Sequence, residues 1–524
     1  MAKKATSTKS CSKKTAGTHA SPAKKAETRA VKNAKAAEII TENACPENTE
    51  IPEANTMKIL YVSPEAVPFA GTGGLGDVGG SLPKSLNRIP GVECRLIMPL
   101  YKAVKQEFRD KMKFLGCKDI PVAWRNKYMG VFMLETDEMT VYFIDNEEYF
   151  KRDNLYGYFD DCERYAFFSR AVFESLQFTG YYPNIIHAND WQTSLVPVYQ
   201  DCIYQMNIRT VLTIHNIEYQ GQYGFDTLYD VIGLPNGAEH LIEFNSGVNL
   251  LKGGITTANM VNTVSPTYAN QLKDPYYAHG LENIISEHSY KLTGLLNGID
   301  TVLYDPSTDP YIPKNYSKDD VSGKAECKRA LQESLYLPVK DNVPMITMIS
   351  RLVAHKGVDL ITATIDNFLN QYDIQFVLLG TGDGQYENFF RQLESRHHDK
   401  VRSMIMFNRE LSHQIYAAGD ILLMPSKSEP CGLAQMIGCR YGNVPLVRAT
   451  GGLNDSIKDC RMGDGNGFVF THFDTESFAS TLRGAIKLYY DQENWNNLVK
   501  FDLGLDFSWD KSAEEYVKMY KNIL

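Results

Sequence analysis

The chain has 524 residues, 43% of them hydrophobic and 22% charged, which is more than one hydrophobic core serves and predicts about two to three domains. The formal charge of −9 is unevenly spread: residues 1–36 hold ten Lys or Arg against one Glu, and the acidic remainder of about −18 excludes nucleic-acid binding as a default. No apolar run reaches the roughly 18 residues of a membrane span, and the ten cysteines form no C-x-x-C pair, which points to a reducing cytoplasm ahead of a plastid and gives no zinc site.

Residues 1–56 are rich in Lys, Ala, Ser and Thr, almost without aromatics, and end in an acidic segment over 38–53. Such a stretch cannot bury enough apolar surface to offset ordering entropy, and it reads as a disordered tail, basic and then acidic. Lys outnumbers Arg and there is no apolar h-region, so a secretory signal is disfavoured; a transit peptide and a polyanion tether are the alternatives to a solvated tail.

The first folded domain, 57–310, opens with a strand over 57–63 and then Gly71-Thr72-Gly73-Gly74-Leu75-Gly76-Asp77-Val78-Gly79-Gly80. This satisfies G-x-G-x-x-G, yet Pro64 and Pro68 intervene, and Glu93 opens the next strand (93–98) instead of closing it, so a dinucleotide site is disfavoured. A glycine loop at a helix N-terminus remains, able to aim backbone N–H groups at a phosphate. Asp77 is then either a helix cap or a contact to a sugar hydroxyl or a ligand-side cation.

Strands over 140–144, 184–187 and 210–214 alternate with polar or helical sequence, which predicts a mostly parallel sheet with helices on both faces. His187 and His215 end two of these strands, and two histidines on one sheet edge suggest a cleft wall. A helix and a strand follow over 251–268, closed by Ser265-Pro266, and then the turn Asn297-Gly298. The polar, proline-bearing stretch 305–322 marks a linker.

The second domain, 325–505, has strands over 343–350, 375–379, 401–407 and 421–424 and a helix over 358–370. Residues 506–524 hold a terminal helix that crosses back onto the first domain. The strand at 421–424 leads through Glu429-Pro430-Cys431-Gly432-Leu433 into a helix over 434–441. That places a carboxylate and a close-approach glycine at the carboxyl edge of a parallel sheet, where open α/β sheets bind ligands. Arg351 and Lys356 straddle another strand-to-helix turn, a planar fork and a point charge that suit a diphosphate. Surface charges and a helix-terminal acid are the plainer readings of these three residues. A hydrolase needs two placed carboxylates, and Glu429 stands alone, with Asp77 as a second candidate.

In order along the chain, Thr72 to Asp77, His187-Ala188-Asn189-Asp190-Trp191, Thr213-Ile214-His215-Asn216 with Tyr219-Gln220-Gly221, Leu296-Asn297-Gly298-Ile299-Asp300, Ser350-Arg351-Leu352 with Lys356-Gly357, Glu429 to Leu433 and Thr450-Gly451-Gly452-Leu453 resemble the bacterial glycogen synthase and plant starch synthase family, over 57–524. The resemblance implies a GT-B fold, two Rossmann-like parallel-sheet domains facing a central cleft. It also implies retaining, metal-independent transfer of glucose from ADP-glucose to the non-reducing 4-OH of an α-1,4-glucan such as glycogen, without a cofactor. It casts Arg351 and Lys356 as the diphosphate clamp and Glu429 as the acid facing the donor glucose. Cys431, Gly432 and Leu433 become the segment whose amides meet phosphate and sugar, His187 and Asn297 contacts to the donor sugar, and Asp77 a donor-side contact. Gly73 and Gly74 would turn their backbone to phosphate. One position departs from the pattern: Gly71 stands where the family has a lysine. That loss weakens donor binding, alters nucleotide preference, or is offset by another cation such as Lys252. A UDP-glucose transferase and an inactive glucan-binding protein are the competing expectations.

Overall fold

A computed structural model of the chain describes residues 56–524; the tail expected over 1–56 lies, but for Thr56, outside the described residues. The first half is built from β1 (Met57–Val62), β2 (Val92–Pro99), β3 (Lys113–Val122), β4 (Arg125–Glu135), β5 (Thr140–Asp145), β6 (Ile185–Asn189) and β7 (Arg209–Ile214). After a separate small sheet of β8 (Gln222–Gly224), β9 (Glu243–Phe244) and β10 (Gly247–Asn249), β11 (Met260–Thr263) and β12 (Leu292–Gly294) rejoin the main one. The order is β12-β11-β7-β6-β1-β2-β5-β4-β3. Every pairing from β12 to β5 is parallel. The central strands are nearly continuous apolar runs, Ile59 to Val62 and Ile185-Ile186, buried on both faces because helices cover both sides of the sheet.

The edge departs from the parallel reading. β3 and β4 form an antiparallel hairpin that extends β5. In sequence β3 is Lys113 to Val122, with Gly116, Pro121 and three charges, and most of it is exposed or only partly buried. An edge strand of that kind carries no apolar period to read.

The second half comprises β13 (Met345–Ile349), β14 (Gln375–Leu379), β15 (Val401–Met404), β16 (Ile421–Met424), β17 (Val444–Arg448) and β18 (Phe468–Phe470), in the order β15-β14-β13-β16-β17-β18. All its pairings are parallel, so this is a doubly wound sheet whose order reverses between β13 and β16. β15 stops at Met404, short of the predicted residue 407, and Met406 and Phe407 leave the sheet exposed.

The helix Trp509–Lys521, capped by Ser508, buries Trp509, Ala513, Tyr516 and Tyr520. It lies on the first half: Tyr516 accepts from Asn262 at 3.3 Å, Ser512 donates to the Leu296 carbonyl at 2.8 Å, and Asp510 pairs with Arg88 at 2.9 Å. The last element therefore ties the two sheets together. No helix among the described residues is long and apolar enough to cross a membrane.

Candidate active site

Where the strand order of a parallel sheet reverses, the loops leaving adjacent strands diverge to opposite faces and open a crevice. In the second half that point lies between the loops after β13 and β16, which carry Arg351 to Lys356 and Ser426 to Glu429. Gly357 has φ 72°, and a Cβ there would lie 2.0 Å from the Pro425 carbonyl oxygen. Only glycine lets the two loops close on each other. The contact is sealed by Lys427 N–H donating to the His355 carbonyl at 2.8 Å. Lys356 Nζ then reaches Glu429 Oε2 at 2.6 Å, and Ser426 Oγ donates to the same oxygen at 3.0 Å.

The Thr450–Leu453 turn braces Glu429 from behind. A Cβ on Gly451, whose φ is 45°, would come within 1.9 Å of the Glu429 carbonyl oxygen, and one on Gly452 within 2.1 Å of that of Cys431. Gly452 N–H donates to the Glu429 and Pro430 carbonyls at 3.2 and 3.1 Å. The two glycines of this motif are thus close-approach residues that fix the backbone of the acid. Gly432, at φ 73°, leads into the helix Ala434–Arg440, with Gln435 Nε2 on its carbonyl at 2.8 Å. Cys431 is buried, which pushes its thiol up to about 12, and the Asn297 backbone N–H from the first half opposes that shift. Leu433 caps the helix from its N-terminal side.

The corresponding reversal in the first half lies between β1 and β6. The loop after β1 runs to the helix Gly74–Asn87, with Gly73 as its N-cap. Buried Glu65 accepts from Thr72 N–H at 2.5 Å and Thr72 Oγ1 at 2.8 Å, which holds the loop in place. A Cβ on Gly73 or Gly74 would meet nothing within 4 Å, whereas one on Gly79 or Gly80 would strike the carbonyls of Glu65 and Val67 at 2.3 and 2.2 Å. One glycine-rich run thus serves two purposes, an open N–H array at 73–74 and a tight helix–loop contact at 79–80. Asp77 lies on the first turn of that helix. It is exposed on that turn, and desolvation by the surrounding protein raises its carboxyl to about 6, which Arg409 opposes and Glu65 and Asp300 add to.

The two crevices meet. Half-buried His355 is lowered first by burial, then by Lys356, while Glu218 from the first half raises it, Arg351 lowers it and Glu429 raises it. Arg351, Lys356 and Glu429 therefore act on one imidazole, with a carboxylate of the opposite half beside them. Asn297 is buried, its Oδ1 without a hydrogen-bond partner among the described residues.

Two sequence expectations are not met. His187 does not face the cleft: it is fully buried, with Nδ1 on Tyr520 Oη at 2.7 Å and Nε2 on Thr213 Oγ1 at 2.5 Å. Burial, and then His215, lowers its imidazole to about 3. It anchors the terminal helix to β6 and β7 and is a structural residue. Lys252 gives its ammonium to the His240 carbonyl, beside the small sheet, and does not replace the charge missing at Gly71. His215 Nε2 lies 2.9 Å from Asn189 Oδ1, and the carboxylate of Asp190 accepts the His215 N–H at 2.7 Å, so these motif residues shape the loop after β7. Sequence reasoning missed His355 and Glu218. A histidine between Arg351 and Lys356 was the available signal. Among the described residues no group of three or more His, Cys, Asp or Glu is placed to hold a metal ion.

The family described as starch synthase catalytic domain matches residues 58–287, and that described as glycosyl transferases group 1 matches 336–500. A glycogen synthase of Bacillus cereus strain Q1 is 42% identical over 477 residues, covering 89% of this chain and all of the relative. The chain belongs to the glycogen and starch synthase family. It is a hexosyltransferase of GT-B fold. A glycogen synthase of Desulforamulus reducens is 45% identical across 89% of this chain and 99% of its own. The catalytic domain of Arabidopsis thaliana starch synthase IV, solved with ADP and acarbose, superposes with a TM-score of 0.82 at 35% identity, over 90% of this chain and 99% of that one. A sucrose-phosphate synthase of Thermosynechococcus elongatus, at 16% identity and TM-score 0.56, shares the fold alone.

Proposed function

We propose that this chain transfers glucose from ADP-glucose to the non-reducing 4-OH of an α-1,4-glucan, with retention at the anomeric carbon and without a metal or cofactor. The observation that carries this reading is the Lys356–Glu429 pair at 2.6 Å in the crevice between β13 and β16, with Arg351 on the same loop as Lys356. Two cations set at a strand-to-helix turn, followed by the N-terminus of the helix Val358–Gln371, oppose the charge that develops on a departing diphosphate. The Gly432-Leu433 backbone and the open loop at 73–74 supply further N–H donors from both sides. The bond from the anomeric carbon to the diphosphate oxygen breaks, and a bond to the acceptor O4 forms. The carboxylate of Glu429 is engaged by Lys356 and Ser426, so the departing diphosphate oxygen is the base that takes the acceptor proton. That confines attack to the face the diphosphate leaves, which keeps the configuration. Phe407, 92% exposed just past β15, offers an aromatic face for a nucleobase. The relatives named glycogen synthase support the glucan acceptor, and the similarity to a structure solved with ADP supports the adenine nucleotide.

The test is nucleotide release from ADP-glucose and from UDP-glucose with glycogen as primer, followed by debranching and analysis of chain lengths. Chains extended by α-1,4-linked glucose, with ADP-glucose preferred, are expected. A strong preference for UDP-glucose would overturn the donor assignment.

A further inference from the structure

Glu429 is braced from two sides, and both braces lead to one side chain that the chemistry proposed above does not use. Arg448 is the last residue of β17. Its carbonyl accepts the Thr450 N–H at 2.9 Å, which opens the turn whose glycines press on the backbone of Glu429 and Cys431. Its guanidinium turns to the loop ahead of the acid: Nη1 donates to the Lys427 carbonyl at 2.6 Å and to the Ser426 carbonyl at 3.4 Å. Ser426 is the residue whose hydroxyl donates to Glu429 Oε2 at 3.0 Å. The start of the 426–429 loop is thus gripped twice, at the Lys427 N–H by the His355 carbonyl and at two carbonyls by Arg448.

The same guanidinium crosses to the first half, where Nη2 donates to the Tyr277 hydroxyl at 3.3 Å. Tyr277 lies on the short helix Pro275–Ala278, whose N-cap Asp274 accepts from the Tyr276 N–H at 2.9 Å. The ring of Tyr276 has the Lys427 ammonium 5.2 Å from its centroid and meets the Tyr277 ring edge-on at 4.8 Å. Two adjacent rings of one half therefore meet two cations of the other, one on the acid's loop and one that holds that loop. We propose that Arg448 is a positioning residue for Glu429 and that Tyr277 engages it from the first half, so that the acid is fully seated only when the halves are together. The inference rests on the function proposed above and names what sets the acid in place at the same site.

A guanidinium suits this task because its planar fork serves two backbone carbonyls and a phenol at once, a geometry that an ammonium at the end of a flexible stem does not hold. Among the described residues no carboxylate lies within 4.0 Å of it, so no ion pair takes up the fork. Phe473 backs it, with the ring centroid 5.6 Å from the guanidinium carbon. Withdrawing Tyr277 removes one of three anchors and loosens the grip on Ser426 and Lys427, and with it the seat of Glu429. Arg351 and Lys356 sit on a different loop, so binding of the nucleotide does not depend on that grip as the placing of the acid does.

The experiment uses the full chain. Donor KM and kcat are measured with ADP-glucose and glycogen, ADP binding by calorimetry without turnover, and melting alongside. Arg448→Lys, which keeps the charge and loses the fork, is expected to lower kcat by roughly 10²-fold, the cost of misplacing a reacting group by about 1 Å, with ADP affinity unchanged. Tyr277→Phe removes one half-exposed hydroxyl and nothing from the second half, and it covers the case in which the Arg448 variant misfolds. It is expected to lower kcat by roughly 2- to 10-fold, the range of one ordinary hydrogen bond, with melting and ADP affinity unchanged. In the Arg448→Lys background Tyr277→Phe is expected to have no further effect, because the two act as a unit. Wild-type kcat in a folded Arg448→Lys protein would overturn the proposal. So would a Tyr277→Phe protein with wild-type kcat, or one whose defect persists in full when Arg448 is already changed. A wild-type chain that neither binds ADP nor transfers glucose would instead defeat the functional reading, a result distinct from any of these.

Discussion

The substitution Gly357→Ala tests whether the site is assembled by the close approach of two loops. Its Cβ would fall 2.0 Å from the Pro425 carbonyl oxygen and 2.6 Å from the carbonyl carbon, while real Cβ contacts stay beyond about 3 Å. The turn at 354–356 must therefore withdraw from the loop at 425–429 by at least about 1 Å, and alanine at φ 72° adds about 1–2 kcal/mol of left-handed strain. Lys356 and Glu429 lie at the ends of those two loops, 2.6 Å apart. Misplacing reacting groups by about 1 Å costs roughly 10²-fold in rate, so kcat for glucosyl transfer is expected to fall by that order while the protein loses only a few kcal/mol of stability. The assay is nucleotide release from the donor with glycogen as primer, alongside thermal unfolding. A Gly357→Ala protein with wild-type kcat would show that the seating of Lys356 against Glu429 does not matter to the chemistry.

Gly73→Ala is the counterpart: its Cβ meets no protein atom within 4 Å and its φ is an extended −172°, so melting should be unchanged while donor KM rises if the loop's N–H groups approach phosphate closely; wild-type KM would remove the loop from the donor site. The Asp77 carboxyl is raised to about 6, so its contribution to stability is present below the ordinary carboxyl range and is lost as pH rises through about 6, whereas its charge develops over that same rise. Donor kcat/KM should accordingly climb between about pH 5 and 7, and Asp77→Asn should flatten that limb; a pH profile identical to wild type would show that Asp77 is not coupled to the donor. His187→Ala leaves the Tyr520 hydroxyl without its buried partner, while Thr213 Oγ1 still donates to Asn262 Oδ1 at 2.5 Å, a loss of about 1–3 kcal/mol, so melting should fall with kcat nearly intact at low temperature; a large drop in kcat at unchanged melting would return His187 to the reacting centre.

Much of the site was legible because backbone constraints leave marks in sequence. Glycines at 357, 432 and 451 have φ values of 72°, 73° and 45°, and each sits beside a functional residue, so the motifs that contain them report geometry directly. The doubly wound second half was readable for a similar reason, since its strands are short apolar runs between helical stretches. His187 misled because a histidine at a strand end looks the same whether its ring meets solvent or the interior. What decides the matter is Tyr520, 333 residues away in sequence, on the terminal helix that packs against the first half. The β3–β4 edge carried charge, glycine and proline where an interior strand would carry an apolar period.

The contacts between the halves converge on the element that braces the acid. Thr267 donates to Asp455 through its N–H at 2.8 Å and its hydroxyl at 2.5 Å, Asn454 donates to Thr267 Oγ1 at 3.0 Å, and Gly451 N–H donates to Gln271 Oε1 at 3.0 Å. Gly451, Asn454 and Asp455 belong to the helix Gly451–Ser456, and its first two residues press on the backbone of Glu429 and Cys431. Seating the acid and holding the halves together are thus one mechanical act. Each such hydrogen bond contributes about 0.5–1.5 kcal/mol, so the four together hold the halves by a few kcal/mol, comparable to what a ligand bridging them contributes through one or two charged contacts. A donor held, as proposed, by Arg351 and Lys356 on one side and by the 73–74 loop on the other meets different surroundings when the halves are apart. That differential affinity is what allows it to bias their separation, and placing the contacts on both halves is what creates it.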